Sequence, residues 1–221
     1  MNILMRTDLR LSVSLLSYLS HAHSRHQLSD VTDGLCYLHF RNVIHGDLKG
    51  VCYCFEPYST IVLTPSQPNI LVDDSGRARI TDFSQATIAQ NQHPTRKPSR
   101  QLGFTVQWAA PEVLEGGTRT TGVDIFSFAM VMIEVCCGEL TICRALAYCR
   151  FVSIQVFTGA PPFGNCGAVS AMKSVISGTR PPRPAHPTFT DDLWMLVQRC
   201  WGHDPHLRPD VSEVLNRLRS A

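Results

Sequence analysis

The sequence predicts an α+β domain that is mainly helical and carries one small β-hairpin near its start. Three observations lead there. Apolar residues recur at three- and four-residue steps in several stretches. One short stretch reads as strand, turn and strand. The breaks between them gather proline and polar residues. In chain order, residues 1–27 form an unassigned N-terminal segment, where serines and Asp8 blunt the apolar run Leu11 to Leu19. From Leu28 a helix begins, with Leu28, Val31, Leu35 and Leu38 on one face and Asp30 and Asp33 on another. Ile70-Leu71-Val72 leads into the turn Asp73-Asp74-Ser75-Gly76, and residues 77–81 return as the second strand. Residues 91–101, broken by Pro94 and Pro98, read as a surface loop. Gly122 to Glu134 is a strongly apolar helix. Gly178 to Pro187 holds four prolines and excludes regular structure. Asp191–Cys200 and Asp210–Leu218 close the chain as amphipathic helices, the second with Val211, Val214, Leu215 and Leu218 on one stripe.

Bulk numbers set the bounds. At 221 residues there is room for one domain with a sizeable core. The hydrophobic share is 44% and the charged share 17%, which excludes a disordered chain. A net charge of +2 gives no electrostatic case for nucleic acid or for an anionic membrane. The most apolar run, Ile125 to Cys137, contains Glu134 and is too short to span a bilayer, so it reads as a buried helix. Six of the nine cysteines (Cys52, Cys54, Cys136, Cys137, Cys143 and Cys149) fall in two stretches that read below as insertions. Cys36, Cys166 and Cys200 remain, a scattered set expected as buried thiols in a reducing, cytoplasmic setting. No pair of Cys-x-x-Cys units with metal-ligand spacing is present.

The chemistry gathers in one order of residues. Phosphoryl transfer asks for a carboxylate to orient the attacking hydroxyl, a cation on the transferring phosphate, and hard oxygens for magnesium. Asp47 suits the first task and Lys49 the second, while Asn69 and Asp82 supply oxygens. Each alone is an ordinary loop residue; the order is what carries information. His45-x-Asp47-x-Lys49, Asn69 before the hairpin, Asp82-Phe83 and then Ala110-Pro111-Glu112 resembles the large lobe of a eukaryotic protein kinase. Gly103-x-Thr105-x-x-Trp108 ahead of that last motif looks like the end of an activation segment. Asp124-x-Phe126-Ser127-Phe128 looks like the start of the family's central buried helix. Cys200-Trp201-x-x-Asp204-Pro205-x-x-Arg208-Pro209 is similar to the closing signature of the tyrosine-kinase-like group, a fungal-type pattern here.

The resemblance implies a protein-kinase-like α+β fold reduced to its mainly helical large lobe, over residues 28–221. It implies ATP-dependent phosphorylation of serine or threonine in a protein substrate, the lysine at Lys49 being the serine/threonine mark. Asp47 would be the catalytic base, Lys49 the phosphate contact, and Asn69 and Asp82 the magnesium ligands beside ATP. His45, Phe83, Thr105, Glu112, Asp124 and Arg208 would be structural, with Glu112 and Arg208 forming an ion pair. Gly46 stands where most of the family carries an arginine that pairs with activation-loop phosphate, so activity is expected to be independent of such phosphorylation.

Departures from the pattern are as telling. Upstream of Leu28 there is no Gly-x-Gly-x-x-Gly and no strand lysine, so the small lobe is expected to be missing. Residues 51–67 separate Asp47 from Asn69, and residues 135–155 separate Glu134 from Val156-Phe157-Thr158-Gly159. Removing both restores continuous kinase-like text. Each stretch begins Val-Cys and ends in Gln, residues encodable as GTATGT or GTGTGT and as CAG, the two ends of a short intron. Both are therefore expected to be retained introns, and this exact chain to have little or no catalysis. Ser84 also stands where glycine usually follows Asp82-Phe83. Sequencing the transcript is expected to show a mature message without codons 51–67 and 135–155; a message that keeps both overturns the intron reading.

Overall fold

The computed structural model describes residues 21–50, 52–54, 69–73, 75–89, 106–136, 151–153, 162–164, 166–185 and 189–220. The first helix, α1 (His21–Phe40), buries Leu28, Val31 and Leu35 at the predicted spacing. It stops where Asn42 turns left-handed (φ 56°) and its N–H bonds back to the His39 carbonyl at 2.9 Å. Strand β1 (Val43–Ile44) follows and pairs antiparallel with β5 (Thr87–Ile88).

The predicted hairpin forms from β3 (Ile70–Val72) and β4 (Ala78–Ile80), in register Ile70↔Ile80, Leu71↔Arg79 and Val72↔Ala78. Its turn is held by Asp73, whose Oδ1 accepts from the Ser75 N–H, the Ser75 hydroxyl and the Arg77 N–H. The Ser75 hydroxyl, with Arg79 next, holds the Asp73 carboxyl well below the usual range. Asp30 of α1 ties the hairpin down, pairing with Arg77 at 2.9 Å and accepting from the Ala78 N–H at 3.1 Å.

Two strands were not expected from the sequence. β2 (Cys52–Cys54) and β6 (Phe151–Ser153) lie inside residues 51–67 and 135–155. They extend the hairpin to a four-stranded sheet in the order β4-β3-β2-β6, with β2 parallel to β3 and antiparallel to β6. The physical reason is the free edge of β3, whose unpaired backbone groups accept another strand.

The helical part follows. α2 (Pro111–Leu114) is a short turn opened by proline at its first position. α3 (Gly122–Cys136) is the centre of the core: residues 123–134 are all buried, so it is enclosed on every side. α4 (Ala168–Ile176) buries Ala171 and Val175. α5 (Asp191–Cys200) is capped by the Thr190 hydroxyl, which accepts from the Leu193 N–H at 3.3 Å, and places two acids in its first turn and Arg199 in its last. α6 (Val211–Ser220) buries Val211, Val214 and Leu218 and packs on α1, where Arg219 meets Asp33. Residues 179–185 have no regular element, as their prolines demand. Residues 91–101 and Phe157 lie outside the described residues. Cys200 is buried, and its thiol is pushed up to about 12 by that burial. Cys36 and Cys166 are only half-buried, which corrects the expectation of three buried thiols. No helix among the described residues is long and apolar enough to cross a membrane.

One ion pair locks these helices together. Arg208 meets Glu112 through two parallel bonds, Nη1 to Oε1 at 2.6 Å and Nη2 to Oε2 at 2.8 Å. Its remaining donors reach the carbonyls of Gly202, Gly122 and His203, and its guanidinium lies 5.1 Å from the Phe126 ring centre. Arg180 lies 5.0 Å from the same ring. The Arg208 side chain is wholly buried, so truncating it leaves a nearly buried carboxylate without its cation. Arg208→Ala is expected to cost about 3–5 kcal/mol in urea unfolding; a loss under about 1 kcal/mol would show the pair to be dispensable.

Candidate functional site

Asp124, in the first turn of α3, has no exposed surface and spends its carboxylate on one loop. Oδ2 accepts from the His45 N–H at 2.9 Å and from His39 Nε2 at 2.9 Å, while Oδ1 accepts from the Gly46 N–H at 2.8 Å. Residues 45–46 thus hang from the start of the buried helix. Gly46 sits at φ +76°, where a Cβ would also come within 3.1 Å of the Gln85 carbonyl and 3.2 Å of Arg119 Nη1. Glycine is the residue that fits.

His45 is wholly buried and joins this loop to the residues after the hairpin. Its Nε2 lies 2.9 Å from the Thr81 carbonyl, an acceptor only, so Nε2 carries the hydrogen. Nδ1 then faces the Asp47 N–H at 3.4 Å as an acceptor. Its ring meets Phe83 edge-on at 5.3 Å. Phe83 itself is half-exposed.

The predicted chemical residues meet across residues 50–68. The Asn69 N–H donates to the Lys49 carbonyl at 2.9 Å, closing the loop at its base. Asn69 Nδ2 donates to the Asp47 carbonyl at 2.6 Å and to Asp47 Oδ2 at 3.0 Å. Lys49 Nζ reaches the same Oδ2 at 3.0 Å. Both partners of Nδ2 are acceptors, which fixes the amide orientation and leaves Asn69 Oδ1 facing away from Asp47. Among the described residues, Asp47 Oδ2 accepts from both Asn69 Nδ2 and Lys49 Nζ, and Oδ1 accepts from none.

Asp82 lies one residue past Thr81, whose N–H donates to the Asn69 carbonyl at 2.9 Å. Its backbone is left-handed (φ 59°), a costly position for a residue other than glycine. The exposed carboxylate accepts from the Ser84 N–H at 3.2 Å. The Ser84 hydroxyl, foremost, then the Ser84 N–H and the charge of Lys49, hold it below the usual carboxylate range. Asn69 and Asp82 thus offer an amide and a carboxylate oxygen, hard ligands of the kind magnesium takes alongside nucleotide phosphates and water. No group of three or more His, Cys, Asp or Glu able to hold a metal occurs among the described residues. Glu112 and Arg208 pair as the resemblance implies. Thr105 lies outside the described residues.

Residues 66–218 match the family described as protein tyrosine and serine/threonine kinase. The chain belongs to that family. It is 32% identical over 190 residues to a probable serine/threonine-protein kinase of Dictyostelium discoideum, covering 86% of this chain and 11% of the relative. It is 30% identical over 191 residues to serine/threonine-protein kinase STY17 of Arabidopsis thaliana, covering 86% and 26%. It is 30% identical over 196 residues to the Arabidopsis serine/threonine-protein kinase VIK, covering 86% and 35%. The chain therefore spans about a tenth to a third of these relatives.

One residue that sequence reasoning placed only as part of a buried run stands out in this kinase chain. Glu134, in α3, is buried and accepts from Trp108 Nε1 at 3.0 Å. The Ser127 hydroxyl donates to the Trp108 carbonyl at 2.9 Å, so α3 grips Trp108 at two points. The signal was a lone acid in the apolar run Ile125 to Cys137. Burial pushes the Glu134 carboxyl up to about 8, against the lowering effects of the Trp108 indole and the Gly50 N–H. The folded chain therefore keeps a proton that the unfolded chain releases near the ordinary 4.5. Stability from this group is full below about pH 4.5 and is lost as pH rises to about 8, at about 1.4 kcal/mol per pH unit. Glu134→Gln keeps an acceptor for the indole and is expected to remove this slope in urea midpoints between pH 4.5 and 8.5. An unchanged slope would contradict the neutral carboxyl.

Proposed function

We propose that residues 28–221 are the large lobe of a serine/threonine protein kinase of the tyrosine-kinase-like group, interrupted at 51–67 and 135–155. Its reaction is transfer of the terminal phosphoryl group of ATP to a serine or threonine of a protein substrate. The observation that carries the reading is the closure of Asp47, Lys49 and Asn69 on one another across the first interruption. Asp47, held through one oxygen, orients the attacking hydroxyl with the other and takes its proton. Lys49 contacts the transferring phosphate. Asn69 and Asp82 hold magnesium, which when bound offsets charge on the nucleotide phosphates. His45, Phe83 and Asp124 keep this cluster in register, Glu112 and Arg208 brace the helices beneath it, and Thr105 helps to organise the substrate site.

For this exact chain we infer impaired catalysis. Two interruptions flank the catalytic loop and the central helix, and the family match begins at residue 66, at the end of the first of them. Retained introns account for both. A second reading, a pseudokinase or scaffold that binds without chemistry, draws support from Asp82, whose carboxylate is already engaged by Ser84.

Phosphotransfer from Mg-ATP to a protein substrate decides between them, measured on the full chain and on a chain without residues 51–67 and 135–155. Little or none is expected from the full chain. Any transfer by either form is expected to fall by about 100-fold or more on Asp47→Asn. Transfer that survives this substitution overturns the role given to Asp47.

A further inference from the structure

Asp124 Oδ2 takes two donors, the His45 N–H and His39 Nε2, each at 2.9 Å. The first belongs to the loop that carries Asp47. The second comes from the last turn of α1, where the His39 side chain is 8% exposed and meets a carboxylate with no exposure at all. A carboxylate only accepts, so Nε2 carries the hydrogen. His39 also works through its backbone. Its carbonyl takes the Asn42 N–H at 2.9 Å, and the Asn42 carbonyl takes the Ala89 N–H at 2.8 Å, beside the β1–β5 pair. The chain between α1 and Asp47 is thus held at both ends by one residue. The His39 carbonyl fixes where that chain leaves the helix, and the ring holds the carboxylate on which it lands. α1 itself is seated in the core through Leu28, Val31 and Leu35.

We propose that His39 is a positioning residue for the Asp47 loop, its Nε2–H setting the rotation of the Asp124 carboxylate and hence the direction of the loop. The His45 and Gly46 N–H groups lie on the two oxygens of that carboxylate, so they are fixed only as far as the carboxylate is. The Asp124 side chain is free to turn about its own single bonds unless something outside the loop stops it. A donor from α1, an element that neither starts nor ends in the loop, supplies the stop. Its acceptor is ionised, which makes the bond one of the stronger kind. Asp47 follows Gly46 directly, so a turned carboxylate at 124 is a misdirected carboxylate at 47.

A residue that merely fills space at the end of α1 and a positioning residue behave differently on replacement. His39→Phe keeps a ring and the backbone carbonyl but removes the donor. It is expected to speed hydrogen exchange at the His45 and Gly46 amides by about tenfold or more, the loss of one bond to a charged acceptor. The Asn42 amide, whose acceptor is the untouched His39 carbonyl, is expected to stay within about threefold, as are Val214 and Leu218 of α6. His39→Gln, whose amide offers a donor at about the reach of Nε2, is expected to return His45 and Gly46 to within about threefold of the starting chain. No acceleration at His45 and Gly46, an equal acceleration at Asn42, or no rescue by glutamine overturns the proposal. Should His39→Phe not fold, the unaltered chain decides. Its proton spectrum is expected to show a slowly exchanging His39 Nε2–H with a nuclear Overhauser contact to the His45 N–H, the other donor on the same oxygen; absence of that contact overturns it equally. The proposal takes from the kinase reading what Asp47 does, but neither measurement needs turnover. A chain without phosphotransfer leaves the test intact, and a failed test leaves the kinase reading standing.

Discussion

The carboxylate of Asp124 is the point on which the site depends. It is buried at the start of the most buried helix, where the helix end favours a negative charge. Three donors converge on it, two of them successive backbone N–H groups of the loop that carries Asp47. A buried carboxylate without such donors would be costly. Here the cost is offset by fixing the direction in which the loop leaves, and His45 carries that direction across to Thr81 and the hairpin. Asp47, Lys49, Asn69 and Asp82 all sit on segments oriented in this way.

Interruption of the chain after Gly50 costs the fold little, for reasons of polymer physics. Closing a longer loop costs only about 0.6 kcal/mol more for each doubling of its length. A few hydrogen bonds at the base outweigh that, and Asn69 alone donates three to Lys49 and Asp47. The bidentate pair of Arg208 and Glu112 does similar work lower down, holding the last helices against α3 whatever lies between residues 135 and 155.

Much of this was legible in the sequence because periodicity and spacing are local signals. The face of Leu28, Val31 and Leu35, the hairpin at Ile70 to Ile80 and the stripe of α6 follow from side-chain period alone. The residues Asp47, Lys49 and Asn69 were recognisable as one cluster despite the break. What stayed hidden were relations between distant segments. Nothing in a lone Glu134 says that it meets Trp108, and nothing in Cys52 to Cys54 predicts a strand beside Phe151 to Ser153. α2 and α4 are too short for a period to declare itself, and half-burial of Cys36 and Cys166 depends on what packs above them.

The span between His45 and Asp124 has a consequence in time. Seventy-nine residues separate the loop from its anchor, and ninety-six separate Arg208 from Glu112. Chains are made at about 5–20 residues per second, so the loop emerges several seconds before the carboxylate that orients it exists. Contacts of such long range form late and leave apolar surface open meanwhile. During synthesis the sheet edge at β3 is complete while its neighbours in the core are not. The order in which this chain is written thus sets its chemical loop ahead of its support.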